Sequence, residues 1–293
     1  MANTLKKIAG PAYLAAAATD IYTQCGFKKL ICISHLADFT VSHLSNKYAG
    51  KMGLEEASLH RQLTLLLSRS EGAPTSFRLL PPATKLFHER WSKSYYEAPQ
   101  TLLLERIPQA AHSILSVGCG WGATEATLVE RGGHVTAVAL DPIISISAQD
   151  RGVEIVHGDF PESVVSLAGR LFDCIILSNV LHLYHHPVGM LSSCVAMLRK
   201  GGVMLVSVPH LPRLLCLLRI ARYGHKYQGL GCYQKSGTHS TSRHVLQRWF
   251  RTCGLKDTSV CFVAPENRRR FGKWSLGTAR RILAAELVVR GRK

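Results

Sequence analysis

The chain predicts an α/β fold in which a mostly parallel sheet is wound in both directions from a central strand. Three observations carry that prediction. Five short apolar segments recur between residues 114 and 208, helix-forming stretches lie between most of them, and the first segment runs straight into a glycine-rich turn. Strands buried on both faces need crossover helices, and that requirement produces this alternation.

Ile114-Leu115-Ser116-Val117 leads into Gly118-Cys119-Gly120-Trp121-Gly122, and Ala123 to Glu130 continues with good helix formers. Strand, tight turn and helix in that order lay out a nucleotide-binding crevice. Glycine there permits unusual backbone angles and leaves the main chain open to a ligand, while the helix start adds free N–H groups. The second strand, His134 to Leu140, ends at Asp141-Pro142. The third, Val153 to Val156, ends at His157-Gly158-Asp159-Phe160. The fourth, Phe172 to Leu177, ends at Ser178-Asn179. A helix from Gly189 to Arg199 and the turn Lys200-Gly201-Gly202 precede the fifth strand, Val203 to Val208. Two closing strands are expected at Thr258 to Val263 and Ala284 to Val289.

Four features together make residues 96–293 resemble the class I S-adenosylmethionine-dependent methyltransferases. They are the glycine loop, Leu140-Asp141-Pro142, Gly158-Asp159-Phe160, and the run from Phe172-Asp173 through Asn179-Val180-Leu181-His182 to Leu198-Arg199-Lys200-Gly201-Gly202. The branch it looks closest to contains small-molecule enzymes such as the ubiquinone-type O-methyltransferases and those of bacterial glycan pathways. The resemblance implies a Rossmann-like, seven-stranded, mostly parallel sheet with an antiparallel last hairpin. It implies S-adenosylmethionine as cofactor, with Gly118, Gly120 and Gly122 near its methionine part. It assigns Asp159 to the adenine amino group, Phe160 to the surroundings of that ring, and Asn179 to the rim beside the methyl. Cys119, where the family often has cysteine, is read as small packing.

The chain departs from the family's pattern twice. An acid usually stands where Ser116 is, and an acid that holds the ribose hydroxyls usually stands where Ala139 is. Asp141 points the same way as position 139 if the strand continues, and lies close to the spacing of a ribose-binding carboxylate. Asp141-Pro142 therefore either takes over the ribose or caps a following short helix. Methyl transfer to a hydroxyl also needs a proton acceptor, and histidine serves near neutral pH. His182, His185 and His186 follow the fourth strand, with His182 preferred as the base; His225 and His239 are alternatives, as is a purely structural role for each.

All of the net charge, +17, lies in residues 199–293, which contain 20 Lys or Arg against Asp257, Glu266 and Glu286. A local excess of that size calls for an anionic partner. The expected acceptor is an anionic small molecule or conjugate, lipid- or sugar-linked, methylated on oxygen, and an anionic membrane surface is a further partner. Nucleic acid is disfavoured because Ser178-Asn179-Val180-Leu181 is no Asn/Asp-Pro-Pro-aromatic tetrad. A membrane-associated binding protein with a degraded cofactor site, favoured by Ser116 and Ala139, is an alternative, and a dinucleotide oxidoreductase fits worst. Leu211 to Tyr223 forms a helix with Leu214, Leu217, Leu218 and Ala221 on one side, and Arg219, Arg222 and Lys226 on another. It either lies in a membrane interface or packs its leucines against the N-terminal extension. Residues 211–242 as a whole read as a substrate lid, and Thr241-Ser242-Arg243 opens the helix that follows.

Residues 1–95 read as a helical cap on the catalytic domain, or alternatively as a dimerisation module. The apolar run 8–18 contains Gly and Pro and suits a helix opened by Pro11 better than a secretory leader. Tyr95 or Tyr96 is a candidate ligand contact. Nine cysteines with no C-x-x-C pair suit a reducing, cytoplasmic setting, and no metal site is expected.

Overall fold

The structure, a computed structural model, describes residues 91–93, 97–139, 145–156, 160–263 and 284–293. Residues 1–90 of the expected N-terminal extension, Tyr95 and Tyr96, Asp141-Pro142, Asp159 and the Arg268–Arg270 loop lie outside the described residues.

A short helix α1 (Thr101–Leu104) leads into β1 (Ser113–Cys119), and α2 (Ala123–Glu130) follows the glycine loop. Next come β2 (His134–Ala139), α3 (Ile146–Asp150), β3 (Glu154–Val156), α4 (Phe160–Ser166) and β4 (Phe172–Ser178). Then follow α5 (Pro187–Ala196), β5 (Leu198–Pro209), α6 (Arg213–Tyr223), α7 (Tyr233–Ser236), α8 (Arg243–Thr252), β6 (Lys256–Val263) and β7 (Glu286–Arg292). The seven strands form one sheet in the order β3-β2-β1-β4-β5-β7-β6. The first five are parallel, and β7 inserts antiparallel between β5 and β6. The expected sheet is therefore present, with its antiparallel last hairpin. The strand order reverses between β1 and β4, which is where a doubly wound sheet opens a ligand crevice.

Alternation along the strands sorts the core into two layers. Leu115, Val117, Ile175, Leu177, Met204 and Val206 face α5 and α8, meeting Leu191, Leu246 and Phe250. Ile114, Val135, Ala137, Cys174, Ile176 and Leu205 face the other way, toward α1 and α2. Strand residues i and i+2 share a face, so each central strand supplies both layers. Asp173 ties the opposite edge of the sheet: its Oδ2 accepts the Ser113 and His112 N–H groups at 2.9 and 3.1 Å, and its Oδ1 accepts from Arg199 at 2.6 Å.

Residues 211–242 leave the sheet after β5 and return to it through a two-way backbone bridge between Leu211 and Thr241, at 2.9 and 3.0 Å. Ser242 caps α8 by accepting the Val245 N–H. Packing decides which side of helix α6 is buried. Cys216 and Ile220 pack inward with Trp91, Leu211 and Leu230, whereas Leu214, Leu217 and Leu218 are 67, 56 and 55% exposed. Arg219, placed by the sequence on a solvated face, is instead half-buried with its guanidinium 5.1 Å from the Trp91 ring.

Candidate active site

The site lies where the glycine loop, the end of β4 and the segment 91–97 converge. Gly118, Gly120, Trp121, Lys93, Glu97 and Glu125 line a cavity there, with Ser178 across it. The three glycines of the loop are thus brought together with the residues that precede the sheet. Gly118 and Gly122 adopt φ of +92° and +85°, a region that side chains rarely enter. A Cβ on Gly118 would collide with Val180, and one on Gly122 with Ala148. The unusual backbone angles expected of this turn are therefore present, and close neighbours add a second reason for glycine at 118 and 122.

Trp121 is the loop's anchor, and nothing in its spacing announced this. Its Nε1–H donates to the Glu97 carbonyl at 2.7 Å, and its own carbonyl accepts from Arg151 at 2.8 Å. Arg151 also lies over the indole at 4.7 Å. The turn is held from both sides before any ligand arrives, as a preorganised site requires.

Ser116 is buried below the loop and donates its hydroxyl to Glu125 Oε1 at 2.6 Å. The acid absent from β1 is supplied by α2, nine residues along the chain. Only folding brings positions 116 and 125 together, so neither residue alone was a signal. Ala139, the other departure, is the buried last residue of β2, paired with Cys119. Cys119 itself is buried, and burial first and the Glu125 carboxylate second push its thiol well above the usual range. A thiol in that state is no nucleophile at neutral pH.

On the other side of the cavity Lys93 is 6% exposed and donates to Glu97 Oε2 at 2.6 Å. Lys93 also donates to Ser178 Oγ, and Ser178 in turn to Glu97 Oε2, each at 3.3 Å. A buried ion pair of this kind costs desolvation and is weak evidence for stability, which makes a ligand role the more natural reading. Asn179 turns the chain at the end of β4 with φ of +53°, its N–H donating to the Ser207 carbonyl at 3.0 Å. Glu286, at the start of β7, stands against Asn179, Ser207, Lys93 and Glu97. Burial and then the Glu97 charge raise its pKa, while hydrogen bonding from Ser207 and Asn179 and the Lys93 charge oppose that rise. Its Oε1 is buried without a hydrogen-bond partner.

His182 occupies a short 3-10 turn (Leu181–Leu183) and is 1% exposed. Its Nε2–H donates to the Trp91 carbonyl at 2.8 Å, leaving Nδ1 buried with no partner. Burial, opposed by that hydrogen bond, brings its pKa down to about 4, so the ring is neutral near pH 7. His185 and His186 are exposed and bond each other, and His239 stacks on Tyr233. Phe160 is buried in the core beside Tyr184. Among the described residues no cluster of side chains could hold a metal ion.

Comparison with known proteins agrees with this layout. A family model described as a methyltransferase domain matches residues 76–260. The chain belongs to that family, and its sheet order and glycine loop make it a class I S-adenosylmethionine-dependent methyltransferase. Similar curated proteins include the ubiquinone biosynthesis O-methyltransferase of Xylella fastidiosa (strain 9a5c), 29% identical over 57% of this chain and 71% of its own length. Another, of the same description, from Xanthomonas axonopodis pv. citri, is 27% identical over 56% of this chain and 72% of its own. Among solved structures, a SAM-dependent methyltransferase from Archaeoglobus fulgidus aligns with 66% of this chain and 90% of its own, at 15% identity and a TM-score of 0.49.

Proposed function

We propose that the protein transfers a methyl group from S-adenosylmethionine to a hydroxyl oxygen of a small anionic or conjugated acceptor. The observation that carries this reading is the cavity between the glycine loop and the Lys93–Glu97 pair. It offers open backbone at Gly120, one buried cation, and the carboxylates of Glu97 and Glu125. Those charges suit the carboxylate and ammonium of an amino-acid end, so the residues fit the cofactor. When bound, S-adenosylmethionine supplies an electrophilic methyl on a sulfonium.

What remains for the protein is to align the acceptor and take its proton. Glu286 stands beside Asn179, at the rim the family places next to the methyl, with one carboxylate oxygen unengaged. In this reading the acceptor O–H gives its proton to Glu286 as oxygen gains the methyl. His182, the base preferred from sequence, has only its enclosed Nδ1 to offer, and its Nε2 holds the Trp91 carbonyl. Both relatives are named as O-methyltransferases, which favours oxygen as the atom methylated. The basic last third favours phosphorylated or carboxylated acceptors, such as a lipid-linked or nucleotide-linked sugar. The degraded-site alternative rested on Ser116 and Ala139; Glu125 answers the first, while Asp141, the expected answer to the second, lies outside the described residues.

Calorimetry tests the reading directly. The purified protein is expected to bind S-adenosylmethionine or its demethylated product, and Gly120→Val to abolish binding by filling the cavity. No heat at millimolar ligand, together with no thermal shift, would overturn it.

A further inference from the structure

The helix α6 carries an apolar face that points away from the protein. Six large apolar side chains are exposed among the described residues, and Leu214, Leu217 and Leu218 are three of them. At about 100° per residue, Leu217, Ala221, Leu214 and Leu218 form one stripe, with Arg213 along one edge and Arg222 along the other. Both arginines are exposed. The opposite side, with Cys216 and Ile220, is already packed against Trp91, Leu211 and Leu230. The outward leucines are therefore not surplus from an inward stripe; the helix has a buried side and a second, separate apolar side.

We infer that this outer face of α6 is a docking surface for an anionic lipid bilayer, in which the helix lies parallel to the membrane plane. Leucines flanked by arginines match an interface whose acyl region begins just below its phosphates, since the long stems let guanidinium groups reach those phosphates while the leucines go deeper. The charge of residues 199–293 attracts such a surface at longer range. No described helix is long and apolar enough to cross a membrane, so the contact is peripheral.

The surface is tied to the cavity through a short segment. Trp91 lies under α6, with its ring beside Arg219 and 5.6 Å from Tyr227, while Lys93, two residues on, lines the cavity. A membrane held on the outer face of α6 is thus separated from that segment by the thickness of one helix. An acceptor with a lipid tail could be presented there without leaving the bilayer. The docking surface itself does not depend on the transferase reading.

Vesicle sedimentation of the full chain tests the inference, using phosphatidylcholine with and without phosphatidylglycerol. Binding to the anionic vesicles and not the neutral ones is expected. Arg213→Gln/Arg222→Gln should weaken it roughly 30-fold, at about 1 kcal/mol for each arginine near an anionic surface. Leu214→Ser/Leu217→Ser/Leu218→Ser should weaken it at least tenfold, given the apolar area lost. These side chains are exposed, so both variants should keep the wild-type thermal midpoint and circular dichroism. Wild-type protein that stays in the supernatant, or binding that survives both variants, would overturn the inference. So would a dimer, seen by light scattering, that the leucine variant dissociates while lipid binding is absent, since a second copy would then own the face. S-adenosylmethionine binding measured on the same samples separates this outcome from failure of the proposed function.

Discussion

Ser116, where the family usually has an acid, is met by an acid from another element. Ser116 and Glu125 form one buried hydrogen bond of 2.6 Å, and removing either partner strands the other. Restoring the family's acid should accordingly do harm here. Ser116→Asp would set two carboxylates against each other and lower both the thermal midpoint and cofactor affinity, whereas Ser116→Asp/Glu125→Gln should recover much of each loss. A double variant no better than Ser116→Asp would separate the two positions. Glu286 makes a second prediction at this scale. Because its pKa is raised, the acid limb of kcat/KM should lie above the ordinary glutamate value of about 4.3, with activity rising with pH through it. Glu286→Gln should lower kcat and flatten that limb. If His182→Asn flattens it and Glu286→Gln does not, the base is the histidine.

At the scale of an element, α6 has a periodicity that leaves two placements of its leucines open. The leucines do share a face, but tertiary packing selected Cys216 and Ile220 for burial. Charge introduced on the two sides should reveal the difference. Cys216→Asp puts a carboxylate at a position 2% exposed and should destabilise the protein by several kcal/mol, about 3 or more. Leu218→Asp, at 55% exposure, should stay within about 0.5 kcal/mol. Chemical denaturation of the two variants measures this, and equal losses would mean that the outward side is covered. The Leu211–Thr241 bridge gives the 211–242 segment a defined base, so α6 is carried on the sheet's edge and is not a free strap.

For the molecule as a whole, His182 links stability to pH. Its neutral ring in the fold has a pKa of about 4, against about 6.5 for an unfolded chain. Between those values the unfolded state binds a proton that the native state refuses. Stability from this group is therefore complete above pH 6.5 and is lost as pH falls toward 4, by up to about 3 kcal/mol. His182→Leu should lose part of that slope between pH 6.5 and 4, whatever its stability at pH 7. Thermal unfolding across this range checks it, and an unchanged slope would assign the pH dependence to other groups. The charge imbalance acts at the same scale. Because residues 199–293 hold the whole net charge, association with anionic surfaces should weaken as salt shortens the Debye length.

The fold class was legible in the chain itself. Buried parallel strands must be continuously apolar and must alternate with helices, and glycine at 118 and 122 is required by positive φ, so both features are written locally. Strand boundaries shifted by only a few residues, with β5 starting at Leu198 and β7 at Glu286. The site's charged half was not legible. Glu125 looked like a helix former, and Glu286 like one of three acids in a basic third. Their roles arise because parallel strands separated by dozens of residues end at one edge of the sheet, where segment 91–97, α2 and β7 also arrive. Burial and proximity across such distances have no local spacing to betray them, so only the tertiary structure decided which acids meet the glycine loop and which face of α6 looks outward.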